Sequence, residues 1–161
     1  MAGFFSGRFQ ERLRRHDRWK GIAAALHADL DRIRRELGEP SDKYTDFNVR
    51  GLGRAIPSLH EWTQHLIVEA AEFSPGVVAQ YMELERQLNN YAMNVLKLRE
   101  ATAEVGHHTS QIAQGIPVAK KLEEAQLHAE MFHGGTVEMR RDAWQTMTAI
   151  DQLLRAFLPG A

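Results

Sequence analysis

The chain has 161 residues, of which 43% are hydrophobic and 25% are charged, and its formal net charge is −1. This composition is that of a globular protein of about one domain, and it excludes the low hydrophobicity and high net charge of disordered chains. The absence of cysteine excludes disulfide scaffolds, thiolate zinc sites, iron–sulfur clusters and catalytic thiols.

No stretch of the sequence has the length and composition of a membrane span. The longest uncharged stretch, 105–119, contains two histidines, two glutamines, a serine, a threonine and a proline. The N-terminus also lacks the run of about 7 to 15 apolar residues that a secretory signal needs, because Arg8 follows only a short apolar segment. We therefore expect a cytoplasmic protein.

The first predicted helix runs from about Arg8 to Leu37. Gly38 is typical of a left-handed C-cap, and Pro40 cannot continue the helix. In its second half the helix carries apolar residues at steps of three and four, the spacing of a buried helix face. These residues are Trp19, Ile22, Leu26, Leu30, Ile33 and Leu37.

The first twenty residues follow a different pattern. From 8 to 20, six basic residues stand against two acidic ones, whereas 60–105 contains seven acidic and three basic residues. The apolar residues among these arginines are out of phase with the later apolar face, and Gly21 lowers helix propensity by about 1 kcal/mol at the junction. We interpret 1–20 as a basic amphipathic arm and 21–161 as a helical bundle domain.

A surface connection and a second helix are predicted next. The segment 39–57 is rich in turn-forming residues and has no sustained period, which favours a connection. Ser58 and Glu61 have the spacing of a capping box, which predicts that a helix begins there and extends to about Phe73. Its predicted buried stripe consists of Trp62, Leu66, Ile67, Ala70 and Phe73.

The clearest pattern in the chain is a heptad spacing in the segment that follows. Eight apolar residues and one threonine are separated alternately by four and three residues: Val77, Tyr81, Leu84, Leu88, Tyr91, Val95, Leu98, Thr102 and Val105. This alternation keeps one stripe facing a partner helix along a left-handed supercoil. It predicts a long helix that ends at Gly106.

Two further helices are predicted after a polar link at 107–115. The fourth runs from Pro117 to His133 and is stopped by the glycine pair that follows it, and Thr136 caps a fifth. Short links join antiparallel neighbours, and no strand pattern occurs. We therefore predict an all-α antiparallel bundle of four to five helices with a long heptad-bearing central helix.

The sequence contains no pattern of catalytic residues. It has neither a nucleophile elbow nor a phosphate-binding loop. His60 and His65 are five residues apart, whereas the zinc-protease helix needs its histidines four apart so that both face one metal. We therefore predict a non-enzymatic protein that uses no cofactor.

A metal site is the alternative that we keep open. Helical bundles hold di-iron and di-manganese centres with glutamates and Glu-x-x-His motifs. Glu130 and His133 form such a motif, and Glu69 and Glu72 end the second helix near the place that the predicted fourth helix reaches. The alternative function is therefore a metal-binding bundle in which these four residues are the ligands.

The basic arm is the main candidate for an interaction site. Its arginines are interleaved with aromatic and apolar residues, as in helices that lie at a membrane interface. Each arginine near an anionic membrane surface contributes about 1 kcal/mol to the free energy of binding. The predicted contact residues are Phe5, Arg8, Phe9, Arg12, Leu13, Arg14, Arg15 and Arg18. We predict docking on an anionic membrane surface or an acidic protein partner. The alternatives are a solvated helix end and contact with the protein's own acidic segment, and the net charge and the absence of a DNA-reading motif disfavour nucleic acid.

Two further observations bear on partners. The run 12–37 (RLRRHDRWKGIAAALHADLDRIRREL) resembles the juxtamembrane helix of small bacterial membrane-tethered proteins, which implies a position at a membrane, although this chain contains no span. The heptad residues Tyr81, Leu84, Leu88 and Tyr91 could pair between chains, so a homo-oligomer stays open. We predict a non-enzymatic interaction or scaffolding protein that is cytoplasmic and peripheral to a membrane.

Overall fold

The structure, a computed structural model, describes residues 3–40 and 69–158 together with Glu61 and His65, and describes side chains from Gln10 onward. Most described residues lie in three long helices, α1 (Gly3–Leu37), α2 (Pro75–Ala113) and α3 (Ala119–Leu154), and a 3-10 turn, Arg155–Phe157, follows α3. The described residues contain no strand, so the predicted all-α class is confirmed. None of these helices is long and apolar enough to cross a membrane.

Part of the predicted architecture lies outside the described residues. This part comprises most of the connection, 41–57, and the predicted helix start at Ser58 with its stripe residues Trp62, Leu66 and Ile67. Within the predicted second helix, four residues are described as helical: Glu61, His65, Glu69 and Ala70. The count of four to five helices therefore stays a prediction.

The C-terminal end of α1 is where the sequence predicts it. The helix ends at Leu37, and Gly38 has a φ of 73°, a left-handed conformation in which its N–H donates to the carbonyl of Arg34 at 2.9 Å. The helix begins at Gly3, five residues before the predicted start, and it continues without a break through Gly21.

The predicted end of α2 at Gly106 is wrong, since the helix continues to Ala113 and includes most of the predicted polar link 107–115. Gly106 is exposed, and its weak helix propensity does not outweigh the continuing backbone hydrogen bonds. The chain turns instead at Gly115, whose φ of 82° is readily adopted only by glycine. α3 then returns antiparallel to α2, and the two form a long helical hairpin.

The predicted break between a fourth and a fifth helix is also wrong, because α3 is continuous through Gly134 and Gly135. Hydrogen bonds from α2 stabilise α3 next to these two glycines. The side-chain amide of Asn94 donates to the Phe132 carbonyl and to the Thr136 hydroxyl, both at 2.7 Å. Thr136 therefore lies inside the helix and is not an N-cap: its hydroxyl donates to the Phe132 carbonyl at 2.7 Å.

The core lies between α1, α2 and α3. Seven positions of the heptad pattern are buried along α2, from Val77 to Leu98, whereas Thr102 is exposed and Val105 is half-buried. The hydroxyl of Tyr81 donates to the Leu26 carbonyl of α1 at 3.1 Å. The heptad residues that we considered for pairing between chains, Tyr81, Leu84, Leu88 and Tyr91, are fully buried within their own chain.

Two segments extend beyond this core in opposite directions. At one end Trp19 packs on Phe73 and Phe157, with ring centroids 5.6 and 6.2 Å away, and 3–18 of α1 continue past this cluster for about 24 Å. At the other end the Trp144 indole donates to the Gly38 carbonyl at 2.7 Å, beside the end of α1. From Trp144 back to Ala119, α3 extends for about 37 Å as part of the hairpin with α2.

Candidate functional site

The part of α1 that precedes Trp19 carries the predicted contact residues. Every described side chain from Gln10 to Arg18 is exposed, including Arg12, Arg14 and Arg15. Leu13 is 48% exposed, although a leucine on a packed helix is usually buried. Phe5, Arg8 and Phe9 belong to the same continuous helix, but their side chains lie outside the described ones.

Two of the four arginines whose side chains are described in this segment form ion pairs. Arg15 pairs with Glu11 one turn earlier at 3.3 Å, and both side chains are more than 60% exposed, so water screens the interaction strongly. Arg18 pairs with Glu69. Neither Arg12 nor Arg14 has an ion-pair partner among the described residues.

The base of the segment borders a cavity of about 320 Å³. The cavity is lined by charged residues and by the first residues of the α1 apolar face: Arg15, Arg18, Trp19, Ile22, Glu69 and Glu72. Arg18 and Glu69 form one ion pair between the segment and the acidic part of the chain. This pair fixes the base of the segment, while Arg12 and Arg14 lie farther from the core.

The four residues of the alternative metal site do not come together. Glu69 and Glu72 lie just before α2, next to the C-terminal end of α3, where Leu153 packs beside Gly76. His133 lies about 30 Å away along α3, because twenty residues of continuous helix separate it from Leu153. The expectation that Glu130 and His133 reach this end depended on the predicted helix break. Among the described residues, no group of three or more His, Asp or Glu residues has the arrangement of a metal site.

A cleft in the α2–α3 hairpin is a feature that the sequence analysis missed. It has a volume of about 420 Å³ and is lined by Glu104, His107, His108, Lys121, Glu124, Ala125 and His128. The sequence pattern predicts a polar link at His107 and His108, whereas both residues lie in α2 and face α3 across this cleft. Correct placement of the turn at Gly115, which Pro117 follows, would have revealed it.

The partly buried charges serve to join α1 and α3. Asp151 of α3 accepts a hydrogen bond from Arg34 and contacts the Nδ1 atom of His27 at 2.9 Å. Arg34 also pairs with Asp31 at 3.1 Å and lies over the Trp144 ring, 5.7 Å from its centroid. Burial raises the pKa of the Tyr81 phenol, and the nearby carboxylates of Asp29 and Asp151 raise it further, so this group stays protonated.

Comparison with known proteins gives no match: no family model fits the chain, and no curated protein or solved structure is significantly similar to it.

Proposed function

We propose that the protein is a non-enzymatic helical scaffold that docks on an anionic membrane surface through the basic segment 3–18 of α1. The observation that carries this proposal is the exposure of Arg12, Leu13, Arg14 and Arg15 on a helix that extends about 24 Å past the core. The Arg18–Glu69 ion pair and the packing of Trp19 on Phe73 join the base of this helix to the rest of the protein.

The chemistry of the segment suits a lipid surface. Phe5, Phe9 and Leu13 are spaced four residues apart, so a helix places them along one side, where apolar side chains can enter the boundary between headgroups and acyl chains. Each arginine near an anionic membrane surface contributes about 1 kcal/mol to the free energy of binding, and this attraction does not require a binding pocket. An acidic protein partner would use the same charges, but it would not require exposed apolar residues on this segment.

The remainder of the chain is, in this proposal, the body that the membrane-bound segment carries. We infer an antiparallel bundle of four to five helices in which the heptad positions of α2 form the central seam. The protein would then be cytoplasmic and peripheral to the membrane. The α2–α3 hairpin extends from the far end of this body, where it is available to other molecules.

The proposal is tested by charge reversal in the segment. The variant R12E/R14E/R15E leaves Arg18 unchanged, because Arg18 pairs with Glu69 and holds the segment in place. The control K97E/K120E/K121E reverses three exposed charges of the hairpin and has the same net charge. Both are compared with the unmodified chain by co-sedimentation with anionic vesicles, and circular dichroism checks their helicity.

The expected result is that the segment variant loses vesicle binding while the control keeps most of it. Equal binding by the segment variant and the unmodified chain would contradict the proposal. Binding of the unmodified chain to an acidic protein surface but not to anionic vesicles would also overturn it, in favour of a protein partner.

A further inference from the structure

The cavity at the base of the basic segment brings charges of both signs to one place. Its volume of about 320 Å³ is within the range of small-molecule sites. The described residues that line it are two arginines, two glutamates and two apolar residues: Arg15, Arg18, Glu69, Glu72, Trp19 and Ile22. We refer to it as the base cavity. It offers guanidinium groups, carboxylates and an apolar surface to a single ligand.

The two arginines of the base cavity retain hydrogen-bond donors for a ligand. Among the described residues, Arg18 donates one hydrogen bond, to Glu69, and Arg15 donates one, to Glu11. A guanidinium group has five N–H donors, and their planar arrangement matches phosphate and carboxylate groups. An anionic group in the cavity can therefore bind both arginines while their ion pairs stay intact.

The two glutamates indicate that the ligand also carries a positive charge. Glu72 is exposed, and within the described part of the chain it has neither an ion-pair partner nor a side-chain hydrogen bond. Glu69 lines the same cavity and pairs with Arg18. Carboxylates repel a ligand that is only anionic, whereas an ammonium group forms charge-assisted hydrogen bonds with them. The base cavity is therefore complementary to a ligand that has anionic groups and an ammonium group.

The position of the base cavity associates it with the membrane surface. Arg15 and Arg18 belong to the segment 3–18, which docks on anionic lipid in the function proposed above. The half-buried Trp19 lines the cavity directly after this segment, and tryptophan is enriched at the boundary between lipid and water. A segment that lies on the membrane therefore places the cavity at the level of the lipid headgroups.

We propose that the base cavity binds the headgroup of an anionic aminophospholipid, in which a phosphate, a carboxylate and an ammonium group occur together, as in phosphatidylserine. Arg15 and Arg18 bind the phosphate and the carboxylate, and Glu72 binds the ammonium group. A headgroup of the same net charge without an ammonium group leaves Glu72 beside an anion. This assignment rests on the proposed membrane function and names the lipid that it prefers.

Co-sedimentation with two kinds of anionic vesicle tests the preference. Phosphatidylserine and phosphatidylglycerol have the same net charge, but only the former carries an ammonium group. We expect the unmodified chain to bind phosphatidylserine vesicles about two- to five-fold more tightly, which is the effect of one exposed ion pair. E72Q is expected to bind both vesicles equally. E100Q is the matched control, since Glu100 is an exposed carboxylate of α2 outside the cavity, and it is expected to keep the preference.

A soluble headgroup tests the base cavity without lipid. Glycerophosphoserine and glycerophosphoglycerol are each titrated into the full chain, and the backbone amide resonances are followed by NMR. We expect glycerophosphoserine to shift the resonances of Trp19 and Glu72, glycerophosphoglycerol to shift them less, and E72Q to reduce the difference. These resonances report on the cavity whether or not the segment 3–18 binds vesicles.

The two measurements distinguish failure of this assignment from failure of the membrane function. Equal binding of the unmodified chain to both anionic vesicles would overturn the assignment and leave the membrane function intact, as would a preference that persists in E72Q. A response to glycerophosphoserine without binding to either vesicle would contradict the membrane function and assign the cavity to a soluble ligand instead of a lipid. Circular dichroism checks that E72Q and E100Q are folded.

Discussion

The side-chain amide of Asn94 donates a 2.7 Å hydrogen bond to the hydroxyl of Thr136 and joins the two long helices at the middle of the hairpin. The same amide donates to the Phe132 carbonyl, also at 2.7 Å. Replacement of Asn94 by alanine removes both bonds at a partly buried site. Since each is worth about 1 kcal/mol, we expect N94A to lower the free energy of unfolding by about 1–2 kcal/mol.

Urea unfolding of N94A measures this loss, and N89A is the control because Asn89 is exposed on the same helix. N89A is expected to stay within about 0.5 kcal/mol of the unmodified chain. An equal effect of the two substitutions would show that Asn94 does not connect the helices.

The glycine pair in α3 gives a second prediction. A Cβ atom at Gly134 would meet no atom within 4 Å, so G134A is expected to stabilise the helix by about 0.5–1 kcal/mol through its higher helix propensity. A Cβ atom at Gly135 would lie 3.4 Å from the amide nitrogen of Asn94. G135A therefore disturbs the Asn94 hydrogen bonds, and we expect a smaller gain or a loss. Thermal unfolding compares the two, and equal stabilisation would contradict the placement of Asn94.

The buried phenol of Tyr81 makes stability depend on alkaline pH. Its pKa is raised in the folded chain, first by burial and then by Asp29 and Asp151, whereas in the unfolded chain it has the ordinary value of about 10. Its contribution to stability is therefore complete below about pH 10. Above that pH only the unfolded chain loses the proton, and stability falls by up to about 1.4 kcal/mol per pH unit.

Phenylalanine at this position removes the titration. At pH 8 we expect Y81F to be less stable than the unmodified chain by about 1 kcal/mol, because the bond to the Leu26 carbonyl is lost. At pH 11 this difference is expected to shrink toward zero. Urea unfolding at the two pH values tests the prediction, and a constant difference would contradict it.

Two aspartates in the contact between α1 and α3 separate the effects of buried and exposed charge. Asp151 and Asp31 both contact Arg34 and His27, but their side chains are 19% and 52% exposed. We expect D151A to lower the free energy of unfolding by about 2 kcal/mol, since it removes the less exposed of the two carboxylates that contact Arg34 and His27 and leaves them only the exposed Asp31. D31A is expected to lower the free energy of unfolding by less than about 1 kcal/mol, because water screens the exposed Asp31 carboxylate. Chemical denaturation compares them, and the reverse order would contradict this assignment.

Several elements could be predicted from the sequence because their signals are local. Gly38 followed by Pro40 marks the end of α1, and both the backbone conformation and the hydrogen bond to Arg34 agree with it. The apolar spacing from Val77 to Leu98 identifies the buried side of α2. The exposure of Arg12 and Arg14 follows from the change of apolar phase before Trp19.

The errors share one physical cause. A glycine inside a helix costs about 1 kcal/mol, which contacts with a neighbouring helix readily offset. Gly135 lies against Asn94, a contact between residues more than forty positions apart that no local pattern shows. The false break in α3 also produced the proposed metal site, because it placed the end of a helix at His133, whereas α3 ends at Leu154.

The binding of the unmodified full chain to vesicles tests the central claim most directly. Co-sedimentation is measured with anionic and with neutral vesicles, each at low and at high salt. The account predicts binding to the anionic vesicles at low salt, a marked decrease at high salt because the exposed arginines are screened, and little binding to neutral vesicles. Absence of binding to anionic vesicles at low salt, or equal binding to both lipid compositions, would contradict it.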